Sequence, residues 1–229
     1  MTRTTNARIA GFTFLFYIAV GVPSVILFGR VASGRGIAEK IASISQHATD
    51  LRIVFVLTLL QAFSAFVLAV TLYAITREED PDLAMLGLAF RVGEGLIGIA
   101  IPTSLGLLWL ATSTGENALD TGSTHTLGAF LLQLGTWQAA LAATFFAVGS
   151  SFFSWLLLRG RMIPITLARL GVVASLLLVV GLPLQAAGLL RGPVASLLWL
   201  PMIAFEVPLA LWLLFKGVAM PARRVSHVR

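Results

Sequence analysis

Along most of this chain apolar residues follow one another so densely that length, rather than periodicity, becomes the signal. Several apolar stretches exceed the ~18 residues that mark a membrane-crossing helix, and polar residues collect in short breaks between them. Six spans are predicted, at about 9–28, 51–76, 83–111, 130–158, 165–190 and 194–215. The predicted class is all-α: a polytopic transmembrane helical bundle of six spans. Residues 1–8 form a polar lead, residues 9–217 one membrane domain and residues 218–229 a basic tail. The first apolar run is longer than a signal-peptide core and no A-x-A site follows it, so it is read as a retained helix. Pro23 is expected to bend it, and Pro102 to kink the third span.

The breaks carry patterns of their own. Between Gly29 and Asp50, residues Ile37, Ile41, Ile44, Ala48 and Leu51 recur at spacings of four and three, an amphipathic helix over 36–51. It either lies on the membrane or lids the bundle, or it extends the second span into water. Arg77 to Asp82 is an acidic turn whose Pro81 suits the first position of the next helix. Its four carboxylates read as a solvated turn before they read as a cation site. Residues 112–128 contain no Lys or Arg and read as a polar loop. Glu116, Asp120 and His125 in that region are too loose a set to define a metal site.

The third span departs from the rest. Arg91 and Glu94 stand three apart, on one face of a helix, and Gly87, Gly98 and Pro102 extend that small and polar face. Leu86, Phe90, Ile97 and Ile101 form the greasy stripe beside it. A charge facing lipid costs at least ~2.5–3.5 kcal/mol on insertion scales, so this face is expected to turn toward other helices. Glu206, between Pro201 and Pro208, is the third ionisable group deep in a span. Arg91 lies roughly 12 Å past Leu83 and Glu206 roughly 15 Å before Lys216, so an even number of crossings brings them to one level. Gln61, Gln133, Gln138 and Gln185 are candidate hydrogen-bond glue between helices. Ala89-Phe90-Arg91-Val92 also echoes Ala204-Phe205-Glu206-Val207, a faint sign of an inverted repeat.

Composition agrees with the spans and narrows the chemistry. Of 229 residues 58% are hydrophobic and 11% charged, with a mean hydropathy of +0.93; soluble domains carry about 25% charged residues. The net charge of +6 does not point to nucleic acid, because the basic residues sit at span ends and in the tails. Nine of them fall on the side of the termini (Arg3, Arg8, Arg77, Arg159, Arg161, Lys216, Arg223, Arg224, Arg229) and five on the other (Arg30, Arg35, Lys40, Arg52, Arg191). That bias predicts cytoplasmic termini. With no cysteine, thiol chemistry is excluded. None of the three histidines lies in a span, which leaves no metalloenzyme ligand set and no base for Ser150, Ser151 or Ser154. No cofactor is implied, and membrane lipids are the expected partners.

Further residues carry a family resemblance. Arg8-Ile9-Ala10-Gly11 leads into the first span, Arg91-Val92-Gly93-Glu94 sits in the third, and Pro164 to Gly171 opens the fifth. Phe205-Glu206 followed by Leu209 to Gly217 closes the sixth. Together these resemble the bacterial membrane family catalogued as domain of unknown function 4386. The resemblance implies a six-helix protein of the bacterial inner membrane and carries no catalytic residue across. Three readings of the buried charges follow. Arg91, Glu94 and Glu206 form a polar site for a small or lipid ligand, or an ion pair that clamps a structural or regulatory subunit. In the third reading Glu94 or Glu206 is the acid or base of a membrane-embedded enzyme.

Overall fold

A computed structural model describes residues 1–112, 120–192, 195 and 197–219. The chain is all-α, with seven helices among the described residues: α1 Arg3–Val31, α2 Ile37–Gln46, α3 Ala48–Thr76, α4 Pro81–Thr112, α5 Thr121–Arg159, α6 Ile165–Ala186 and α7 Leu200–Phe215. Five of them, α1, α3, α4, α5 and α6, are long and apolar enough to cross a membrane. Only 33–44% of the residues in their most apolar stretches are buried. The outward side is apolar too, with Val25, Val70, Leu96 and Val180 each more than half exposed. Lipid, not water, is the solvent such a surface fits. The architecture is that of a multi-pass membrane helical bundle.

Helix ends differ from the expected boundaries, and capping chemistry explains where. The Thr2 hydroxyl accepts the Thr5 N–H at 3.1 Å, so α1 starts within the polar lead rather than at residue 9. Asp120 does the same for α5, accepting the Gly122 and Ser123 N–H groups at 3.0 Å. The second half of the expected 112–128 loop is therefore helix. Residues 113–119, with Glu116, lie outside the described residues. At the other end of α6, Gly188 takes a left-handed φ of 73°. Its N–H reaches Gln185 O and the Leu189 N–H reaches Leu184 O, each at 2.9 Å, which stops α6 four residues before the expected Leu190. The expected sixth span, 194–215, is described as helix from Leu200, with Pro201 in its first turn. At 16 residues, about 24 Å, α7 is shorter than the five long apolar helices. Both α1 and α4 run as helix through Pro23 and Pro102.

Two compact units emerge. The first comprises Met1–Leu15, Phe66–Val92 and Ala143–Arg229, the second Phe16–Ala65 and Gly93–Ala142. Within the first, α7 runs antiparallel to α6. A Cβ on Gly171 would strike the Phe205 ring, and one on Gly181 would stand 2.6 Å from the Leu198 side chain. Gly11 of α1 meets the backbone of α7, where an added Cβ would lie 2.6 Å from Ala210 O and Leu214 N. Both ends of the described chain reach Met162. Arg3 Nη2 donates to its sulfur at 3.2 Å, and its carbonyl accepts the Ala219 N–H at 3.0 Å.

The second unit centres on Val31, Ile44, Leu51, Val54, Leu105, Leu108, Ala111 and Leu131. Here α2 realises the amphipathic helix expected over 36–51, ending earlier, at Gln46. Its Ile41 and Ile44 are buried. Ile41 packs against Gly128, where a Cβ would be 2.8 Å from Ile41 Cδ1, and the Ser45 hydroxyl donates to Thr112 O at 3.2 Å. The apolar face of α2 thus packs on protein at Ile41 and Ile44, while Ile37 at its start is exposed.

Candidate functional site

Along α4 the small and polar face meets neighbouring helices turn by turn. In the first unit Gly87 lies beneath Phe153 of α5; an added Cβ would stand 3.0 Å from that ring. Arg91 follows one turn later and is 1% exposed. Its guanidinium sits over the Phe146 ring, 4.8 Å from the centroid, a contact that gains strength where water is excluded. Gly149 makes room for the stem, since a Cβ there would come within 2.8 Å of Arg91 Cγ. Phe90, beside Arg91 in sequence, packs on Phe145 and Phe152 of the same helix α5, with centroids at 5.5 and 6.0 Å. Glu206 of α7 belongs to this unit and is 6% exposed.

In the second unit Glu94 is 4% exposed, and its Oε1 accepts the Tyr17 hydroxyl of α1 at 2.9 Å. Gly98, one turn on, faces Ala62 of α3; an added Cβ would stand 3.2 Å from the Ala62 Cβ. Two of the four glutamines work between helices. Gln61 lays its amide over Gly21, where a Cβ would be 2.6 Å from Nε2, and Gln138 Oε1 accepts the Ser104 hydroxyl at 2.9 Å. Gln133 and Gln185 are exposed.

Periodicity could not have paired these groups with Tyr17 and Phe146, which lie on other helices. One signal was present: Tyr17 is one of only two tyrosines in the chain, set in an apolar span. A buried phenol needs a hydrogen-bond partner, and a buried carboxylate is a good one.

The acidic turn is more than solvated. Arg159 holds Glu79 at 3.0 Å and Asp80 at 2.9 Å, and Arg3 holds Glu78 at 3.2 Å. Asp80 also caps α4, accepting the Leu83 N–H at 3.2 Å. That bond, with Arg159 beside it, keeps the Asp80 carboxyl below the usual carboxylate range. Asp120 is likewise held low, first by the Ser123 hydroxyl and then by the Ser123 and Gly122 N–H groups. Among the described residues no three His, Asp or Glu side chains cluster closely enough to hold a metal ion.

Chemically, then, α4 and α7 hold an arginine and two glutamates away from solvent, with Arg91 against an aromatic ring and Glu94 against a phenol hydroxyl. No curated protein and no solved structure matches the chain. A family match does, running over residues 9–217 and so over nearly the whole sequence. The chain belongs to the family described as Domain of unknown function (DUF4386).

Proposed function

We propose that the buried charges of α4 and α7 form a polar intramembrane site that binds or passes a small or lipid ligand. The protein would cross the bacterial inner membrane six times, with both ends cytoplasmic. One observation carries the reading: an arginine and two glutamates, each no more than 6% exposed, sit inside helices whose outer surfaces are apolar. Ionisable groups at such positions are costly, and they mark ligand or ion paths by default. Arg91 and Glu206, members of one unit, are the proposed pair. Glu94, a candidate of the second unit, accepts the Tyr17 hydroxyl, which fixes its orientation there.

The six crossings rest on the two ends that meet at Met162. Five crossings would leave them on opposite sides. The antiparallel run of α7 against α6 supports a sixth, with the short helix met by snorkelling or local thinning of the bilayer.

A specific observation favours a second reading, a structural clamp: Arg91 is packed tightly by Phe146 and Gly149. A double-mutant cycle combined with lipid and metabolite analysis of the purified protein separates the two. Arg91→Ala and Glu206→Ala should each cost ~3–5 kcal/mol by stranding the other charge, and Arg91→Met with Glu206→Leu should recover most of it. Under the proposed function the recovered double variant loses a compound that co-purifies with the wild type; under the clamp it loses none. Two small and additive single effects would overturn the pairing itself.

A further inference from the structure

A groove in the second unit runs between α3 and α4, with a volume of about 430 Å³, inside the ~300–1,000 Å³ range of ligand pockets. Leu51, Phe55, Val56, Leu105, Gly106 and Leu107 line it. Its one charged group is Arg52, whose guanidinium lies over the Trp109 ring at 4.5 Å from the centroid. From these we infer that the groove seats one anionic phospholipid, an acyl chain along the apolar walls and the headgroup phosphate on Arg52.

Three features select that occupant. The lining is almost wholly apolar, with Val56, Leu107 and Leu110 each about half exposed, so a hydrocarbon chain suits it and a polar solute does not. Arg52 is in the second turn of α3 and Trp109 in the last turn of α4. Both therefore stand near helix ends, the level at which tryptophan and arginine meet headgroups. Finally, the indole occupies only the face of the guanidinium. Its N–H edge stays available for the two-pronged bond that phosphate accepts. Arg52 is exposed, and the ion pairs among the described residues do not include it. Asp50, the nearest acid on its own helix, is two residues away, a spacing that points the two side chains apart.

Gly106 offers a way to block the groove without touching the charge. A Cβ there would meet only the Phe55 ring edge, at 3.8 Å. Alanine fits, and leucine would extend into the space the acyl chain needs.

The test uses the full chain in detergent, titrated with phosphatidylglycerol or phosphatidylcholine of equal chain length and read by native mass spectrometry. The wild type should retain phosphatidylglycerol in preference. Arg52→Gln should reduce that preference by about fivefold, the worth of one basic residue near an anionic surface, and leave phosphatidylcholine unchanged. Arg30→Gln, another exposed arginine at a helix end, should leave the preference intact, and Gly106→Leu should weaken retention of both lipids. The inference is overturned if the wild type shows no preference, if Arg52→Gln keeps it, or if Arg30→Gln lowers it as much. Arg52 and Arg30 are both exposed, so these two comparisons decide even if Gly106→Leu fails to fold. The groove shares no residue with the buried charges Arg91 and Glu206, and its failure would leave the buried-charge reading untouched.

Discussion

At the scale of single residues, the chain's charges divide into those that water can reach and those that it cannot. Asp80 belongs to the first group. The Leu83 N–H and Arg159 lower its pKa in the folded state, so its contribution to stability is present above the unfolded value of about 3.9 and is lost as pH falls through the folded value. The melting temperature of the wild type should therefore exceed that of Asp80→Asn by a constant margin above about pH 5, and the margin should close on acidification below about pH 4. A margin unchanged by acidification would mean that the ionised carboxylate is not its source, since Asn supplies the cap as well. Arg91, Glu94 and Glu206 belong to the second group. Their burial was legible from sequence because nothing else within twenty apolar residues could hide a charge except another helix. Their immediate neighbours were not legible. Tyr17 and Phe146 lie 77 and 55 positions from the groups they touch, and local spacing says nothing about such pairs.

At the scale of elements, hydropathy located the helix interiors and capping chemistry located their ends. Thr2, Asp120 and Gly188 each moved a boundary by several residues, because one side-chain oxygen or one left-handed glycine satisfies backbone groups that hydropathy does not see. Close packing between elements rests on glycine in the same local way. At Gly11 a methyl group would collide with the α7 backbone, whereas at Gly29, also helical, it would meet nothing within 4 Å. Gly11→Ala should thus destabilise the protein in detergent by ~1–3 kcal/mol, the cost of overpacking. Gly29→Ala should stabilise it by roughly 0.5–1 kcal/mol, because alanine loses less backbone entropy in a helix. Thermal unfolding of the two variants side by side checks this; equal shifts would mean that α1 and α7 do not approach so closely.

At the scale of the whole molecule, the sequence predicts six crossings, and five helices are long and apolar enough to make one. Apolar composition continues from residue 194 to 215 and predicts a sixth span there, yet α7 has only 16 residues. Composition cannot resolve this, since proline and glycine decide how much of an apolar stretch is helical. The contacts of Arg3 and Ala219 with Met162 carry the argument for an even count. The proposed site depends on it, because only a returning α7 brings Glu206 to the level of Arg91. Single cysteines in this cysteine-free chain, at Thr2→Cys, Ser123→Cys and Ser226→Cys, report the topology when intact cells are treated with an impermeant thiol reagent. The expected result is labelling of the Ser123→Cys variant alone, with the other two reacting only after lysis. Labelling that separates Thr2→Cys from Ser226→Cys would place the two ends on opposite faces and contradict the account.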